Sequence, residues 1–273
     1  MVRPVSRVLS GLAPVRVTAT YAVMLLVVAA ALVALGPRVQ CRVIDDLSTN
    51  LHNLSRGRLD TLIGSAFVTG DDRIYVWLPG LICLLALSEL LWCGKRLVVA
   101  FTLGHVGATL IVAVGLAAAI LIGWLPASIA GVSDVGISYG AAGVLGTLTA
   151  AVPPRWQLVW VCFWLANALV VASPANGFDF AAGGHVVALT LGMLLSTQSR
   201  SPAQWTPPRL ILLGGGVAFG YAGLIGFSAA GAPVAGMAAA LIGLVARSAV
   251  HRWNSGERSQ PVGPLDHSNA LAT

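Results

Sequence analysis

The feature that most constrains this chain is a succession of apolar runs, at residues 17–36, 74–93, 97–124, 135–152, 156–173, 182–197, 209–229 and 233–250. A helix rises 1.5 Å per residue and a bilayer core is about 30 Å thick, so runs of this length read as membrane spans. Only 10% of the residues are charged, where a soluble domain carries about 25%. The apolar runs lack the polar faces a soluble α/β protein would need. The expected fold class is therefore all-α, a polytopic membrane helix bundle. Thirty-one glycines fit that class, because small residues let helices approach closely in lipid.

Charge sets the expected orientation. With the N-terminus cytoplasmic, Arg3, Arg7, Arg16, Lys95, Arg96, Arg155, Arg200, Arg209, Arg247, Arg252 and Arg258 all fall inside. The other arginines lie in the segment after the first run, where Asp45, Asp46, Asp60, Asp71 and Asp72 offset them. This is a positive-inside pattern with both termini cytoplasmic, in an inner (plasma) membrane. The same reading explains the net charge of +6 without nucleic acid. Cys41, Cys83, Cys93 and Cys162 show no metal-binding spacing, and no cofactor or metal is expected. The outside segment 37–73 mixes Ile44, Leu47, Leu51, Leu59 and Phe67 with polar residues, which suggests short amphipathic helices in the interface. The tail, 251–273, is polar and expected to be disordered.

Polar groups inside spans are costly and so informative. By the orientation above, the fourth and sixth runs both descend from the outside. Ser138 lies about four residues into one and His185 about three into the other, each some 5–6 Å below the edge. Equal depth is what a serine–histidine pair requires. His105, eight residues up the third run, comes out about 12 Å above the inner edge and reads as a packing or helix-linking residue. Glu89 is expected to pair with Lys95 or Arg96, and Asp134 to cap the fourth helix. Trp77, Trp92, Trp124, Trp156 and Trp205 stand near run ends, as interface anchors do. The glycines of the seventh run, Gly214 to Gly216, Gly220, Gly223 and Gly226, read as a packing face toward the eighth.

Gly136-x-Ser138 followed by Gly143-x-x-Gly146 resembles the rhomboid serine-protease motif, and Gly184-His185 with Ala188 and Gly192 resembles the histidine helix of that family. Ser48-Thr49-Asn50, Gly104-His105-Val106-Gly107 and Asp134-Val135-Gly136 look closer to a divergent actinobacterial rhomboid-like group. The resemblance implies a six-helix rhomboid-like core over residues 17–197; the two additional spans over 198–250 lie outside that core, and residues 1–16 are the cytoplasmic N-terminus that the charge pattern sets. It implies Ser138 as nucleophile and His185 as general base. Two departures stand out. Tyr139 follows the serine where the family has glycine, and the second run, Ile74 to Gly80, lacks the family's H-x-x-x-N. Such side chains stabilise an oxyanion by about 2.7–4 kcal/mol; Asn167, Asn50 and Asn53 are the available substitutes.

Two functions share this fold: an intramembrane serine protease acting on transmembrane substrates near the outer face, and an inactive relative that binds transmembrane helices. A small-solute transporter would show repeated halves and midplane charges, and neither is visible. The partners expected are transmembrane proteins and the lipid bilayer; the sequence carries no sign of the oligomeric state.

Overall fold

The computed structural model describes residues 13–70, 74–173, 180–199, 204–225 and 234–245. The tail and most of the N-terminal segment lie outside the described residues. Each apolar run yields a helix: α1 (Arg16–Leu35), then three short helices α2 (Pro37–Leu47), α3 (Leu51–Ser55) and α4 (Thr61–Gly64), then α5 (Ile74–Trp92) and α6 (Gly94–Leu121). After these come α7 (Ser138–Thr147), α8 (Pro154–Val171), α9 (Phe180–Ser196), α10 (Pro207–Ile225) and α11 (Val234–Val245). No strand occurs among the described residues.

Three of the described helices, α1, α5 and α6, are long and apolar enough to cross a bilayer on those grounds alone. The fourth run departs most from its expected 135–152. Its helix begins only at Ser138 and passes into a 3₁₀ turn at Leu148–Ala150. Ten α-helical residues reach only about 15 Å. The short length is tolerated because α7 lies at the centre of the bundle, where every residue from Tyr139 to Val152 is buried.

Glycine contacts explain how α7 is enclosed. A Cβ on Gly104 of α6 would stand 2.7 Å from both Gly143 Cα and the Tyr139 carbonyl of α7. A Cβ on Gly192 of α9 would overlap the Gly143 carbonyl. Three helices therefore meet backbone to backbone, which needs residues without side chains. The seventh run packs differently from expectation. A Cβ on Gly215 would meet Cys83 at 2.7 Å, and one on Gly216 would meet Leu84 at 3.1 Å, both on α5. Gly220 faces Leu145 of α7 and Trp164 of α8. The glycine face of α10 thus packs into the six-helix core rather than against α11, because Gly80 and Cys83 leave a matching groove on α5.

The short helices α3 and α4 are also embedded more deeply than an interfacial hairpin would be, whereas α2 buries no residue. Ser48, Thr49, Asn53, Thr61, Ser65 and Ala66 are all buried. Thr49 N donates to the Asp134 carbonyl at 2.9 Å, and Gly136 N to the Ser65 carbonyl at 3.0 Å. Gly136 has φ +127°, a conformation that favours glycine. The segment before α7 is thereby stitched to α3 and α4. Asp134 takes part through its backbone, receiving Thr49 N and donating its own N–H to Ser48 Oγ at 2.7 Å. The cap position of α7 is Ile137, which makes no side-chain cap bond.

Glu89 is likewise not ion-paired with Lys95 or Arg96. Its carboxylate accepts from Val17 N at 3.0 Å, and from Thr18 N and Thr18 Oγ1 at 2.8 Å each. A buried carboxylate thus satisfies the free N–H groups of α1 and sits at the positive end of that helix. Arg96 turns away and donates to the Gln198 carbonyl at 2.7 Å and Ser199 Oγ at 2.8 Å.

Candidate functional site

The close packing of α7 against α9 sets the level of the two residues singled out by sequence. Gly143 meets Gly192, and Gly146 meets Leu189 and Met193. Nearer the start of both helices, Tyr139 of α7 meets His185 of α9. The rings of Tyr139 and His185 are 5.3 Å apart and 84° to each other, an edge-to-face pair. A Cβ on Gly184 would overlap the Tyr139 ring, so the glycine before the histidine is what lets tyrosine lie there.

Ser138 therefore has the expected level but a different bearing. Consecutive residues on a helix point about 100° apart. With Tyr139 turned to α9, Ser138 is turned to α5 and α10. It lines a cavity of about 20 Å³ with Leu84, Ala141, Leu145, Phe219 and Gly220. That volume is room for about one water, and this wall offers it few polar partners. Ser138 is one residue along α7 from the tyrosine that meets His185, yet Ser138 and His185 face different neighbours.

The candidate oxyanion donors are all engaged elsewhere. Asn50 Nδ2 donates to Ser48 Oγ at 3.4 Å while its Oδ1 accepts from Asn53 N at 2.8 Å, the N-cap bond of α3. Asn53 Nδ2 donates to the Asp45 carbonyl at 3.1 Å and the Ser48 carbonyl at 2.8 Å. Asn167 Nδ2 donates to the Phe163 carbonyl at 2.7 Å, and its amide lies against Gly236 of α11. None of these three residues lines the Ser138 cavity.

A second serine–histidine neighbourhood is hydrogen-bonded. His105 sits in a π-helical turn, Leu103–Gly107, inside α6. Its Nε2 is 3.1 Å from Ser65 Oγ, and Ser65 Oγ is 2.8 Å from Thr49 Oγ1. Thr49 Oγ1 is in turn 2.9 Å from the Thr61 carbonyl. All of these side chains are buried. The linking role expected of His105 holds, but its partner is the 37–73 segment. Its level also differs from expectation: α6 begins at Gly94, and Gly104 abuts Tyr139 and Gly143, so His105 lies within about one turn of Ser138. Ser65 and Thr49 were missed as participants; the only sequence signal was a run of small hydroxyl residues in an otherwise amphipathic segment.

The arrangement so far defines a class: a membrane helix bundle whose short central helix carries a serine and is clasped by two glycine-bearing helices, each with a histidine. A family profile described as rhomboid-like protein matches residues 13–204. The chain belongs to the rhomboid-like protein family. No curated protein and no solved structure matches it.

Proposed function

We propose that this membrane protein binds the transmembrane helix of a partner and leaves it uncut. The observation that carries the reading is the setting of Ser138, in an apolar cavity of about 20 Å³ closed by Leu84 of α5 and Phe219 of α10. A peptide bond needs far more room than one water, and a base beside the nucleophile as well. The place for a helix is a groove of about 420 Å³ between α6 and α9, lined by Ile111, Gly115, Ala119, Trp124 and Gly183 among others. Among the described residues, nothing covers Gly115 or Gly183 within 4 Å of a built Cβ. Uncovered small residues in an apolar groove suit close approach of a second helix in lipid. The charge pattern supports a plasma-membrane setting with both termini cytoplasmic, which puts this groove toward the outer half.

The experiment has two arms. Purified protein in native-like membranes is treated with a serine-reactive fluorophosphonate, and no label above background is expected. In the second arm a photoreactive phenylalanine replaces Gly115, with Val23 on exposed α1 as control. Adducts whose peptides come from the apolar span of a partner are expected at 115 and not at 23. Labelling that is lost in both Ser138→Ala and His185→Ala would overturn the non-proteolytic reading.

A second reading is an intramembrane serine protease with Ser138 as nucleophile and His185 as base. One observation favours it: α7 and α9 hold residues 139 and 185 at a common level. Rotating the start of α7 by about one residue, roughly 100°, would exchange Tyr139 for Ser138 opposite the imidazole. The histidine would then take the hydroxyl proton and return it to the leaving amine.

A further inference from the structure

A cavity of about 230 Å³ lies between α1, α6 and the turn after α4, walled by Val17, Tyr21, Ile63, Phe67, Val98 and Phe101 among others. Its wall is almost wholly apolar. Two hydroxyls on the α1 side are engaged within the protein: Tyr21 donates to the Ala66 carbonyl, and Thr18 to the Glu89 carboxylate. His105 on the same wall is buried and bonded to Ser65 at 3.1 Å. Ile63 is 68% exposed and Val98 49%, so the lining reaches the flank of the bundle, where a membrane protein meets lipid.

The cavity has the depth of one leaflet. Its lining on α6 runs from Leu97 to Val106. At 1.5 Å per residue this stretch is about 14 Å long, close to half of a hydrocarbon core about 30 Å thick. One end of it is the start of α6, which touches the start of α1: a Cβ on Gly94 would stand 2.6 Å from Val17 Cγ2. Scaling from a 150 Å³ cavity that takes benzene, the space holds roughly nine heavy atoms. That is room for part of one acyl chain and too little for a helix about 10 Å across.

A positive charge stands at the same end. Lys95 is the second residue of α6 and is exposed. Lys95, Val98 and Thr102 fall at i, i+3 and i+7, along one stripe of the helix. Val98 and Thr102 line the cavity, so Lys95 continues the lining face to the membrane edge, where a lysine keeps its ammonium in water. The neighbouring charges are committed elsewhere. Arg96 donates to the Gln198 carbonyl and Ser199 Oγ, and the Glu89 carboxylate receives Val17 N, Thr18 N and Thr18 Oγ1. Lys95 has no ion pair among the described residues.

We infer that this cavity is a site for an anionic phospholipid of the bilayer, with part of one acyl chain in the cavity and the phosphate at Lys95. An apolar slot one leaflet deep, with a cation at its polar end, matches such a lipid along its length. Basic sites between membrane helices take anionic headgroups in the same way. The site lies nearer the start of α6 than the groove at Gly115 and is separate from it.

The full-length protein in nanodiscs is photolabelled with two phospholipid probes that carry the same mid-chain diazirine, a phosphatidylglycerol and a phosphatidylcholine. The phosphatidylglycerol is expected to label residues 62–67 and 97–106 about fivefold more, the preference one lysine gives at a membrane surface. Lys95→Gln, a change at an exposed position, should bring it down to the phosphatidylcholine level, and Lys95→Arg should keep the preference. Val98→Trp at the exposed rim should abolish labelling of both segments by either lipid. In a second arm, a photoreactive phenylalanine in place of Ile63 should form adducts with phospholipid. Equal labelling by the two lipids, a preference that survives Lys95→Gln, or labelling indifferent to Val98→Trp would each overturn the proposal. Adducts from position 63 to residues 1–12 of this chain or to another protein, in place of lipid, would overturn it as well.

Discussion

Two serine–histidine neighbourhoods lie within about one helical turn of each other, and they are built in opposite ways. At Ser138 and His185 the chain supplies the residues, the level and the glycines, yet the ring opposite the histidine belongs to Tyr139. At Ser65 and His105 the residues come from a loop segment and a kinked helix turn, and the side chains are 3.1 Å apart. The first pair is set by two rigid helices whose axial register is fixed by Gly143 and Gly192. The second is set by a segment that folds back into the bundle and is held there by Thr49, Asp134 and Gly136. Helix register fixes level; it does not fix bearing.

The largest effect should come from the glycine contact that sets the first neighbourhood. Gly192→Leu would drive a side chain into the Gly143 carbonyl, and unfolding in detergent should show a loss of at least about 3 kcal/mol. The edge-to-face contact of Tyr139 with His185 would go with it. His105→Phe should cost about 2 kcal/mol, since it strands the buried Ser65 hydroxyl beside an apolar ring. Tyr139→Leu removes the ring that packs edge-to-face on His185 and should cost about 1 kcal/mol. Equal losses for His105→Phe and Tyr139→Leu would erase the distinction drawn between the neighbourhoods.

The serines should follow the same order at a smaller scale. Ser65→Ala removes the middle of a hydrogen-bonded chain and should cost about 1 kcal/mol by thermal unfolding. Ser138→Ala, a half-buried hydroxyl on an apolar cavity, should stay within about 0.5 kcal/mol of the parent. A large loss at Ser138 would mean that its hydroxyl has a structural partner and that its bearing is other than described.

Much of the fold was legible because apolar run length and glycine spacing are local properties. Both histidine-bearing helices, the central serine helix and the level of residues 138 and 185 follow from counting along the chain. What was not legible depends on approach between distant segments. Glu89 sits seventy-one residues from Thr18 and binds the start of α1, an arrangement that no spacing rule reveals. The same holds for Ser65, forty residues from His105. The small-residue surface of α10 is legible in its glycines, but its partner is not, because Gly80 and Cys83 on α5 carry half of that signal. Tyr139 was visible as a departure from the family motif. That it takes the place opposite His185 required the rotation of α7, which apolar periodicity cannot supply for a helix buried on all sides.

The bearing of Ser138 can be measured directly. In a variant whose four cysteines are replaced, Ser138→Cys is combined either with Phe219→Cys or with His185→Cys, and each double variant is oxidised in the membrane. A disulfide forms readily only when Cα atoms are within about 4.4–6.8 Å and the Cβ vectors converge. Rapid bridging of 138 to 219, with little between 138 and 185, is the result this account predicts. Rapid bridging of 138 to 185, with none to 219, would contradict it and return Ser138 to the histidine.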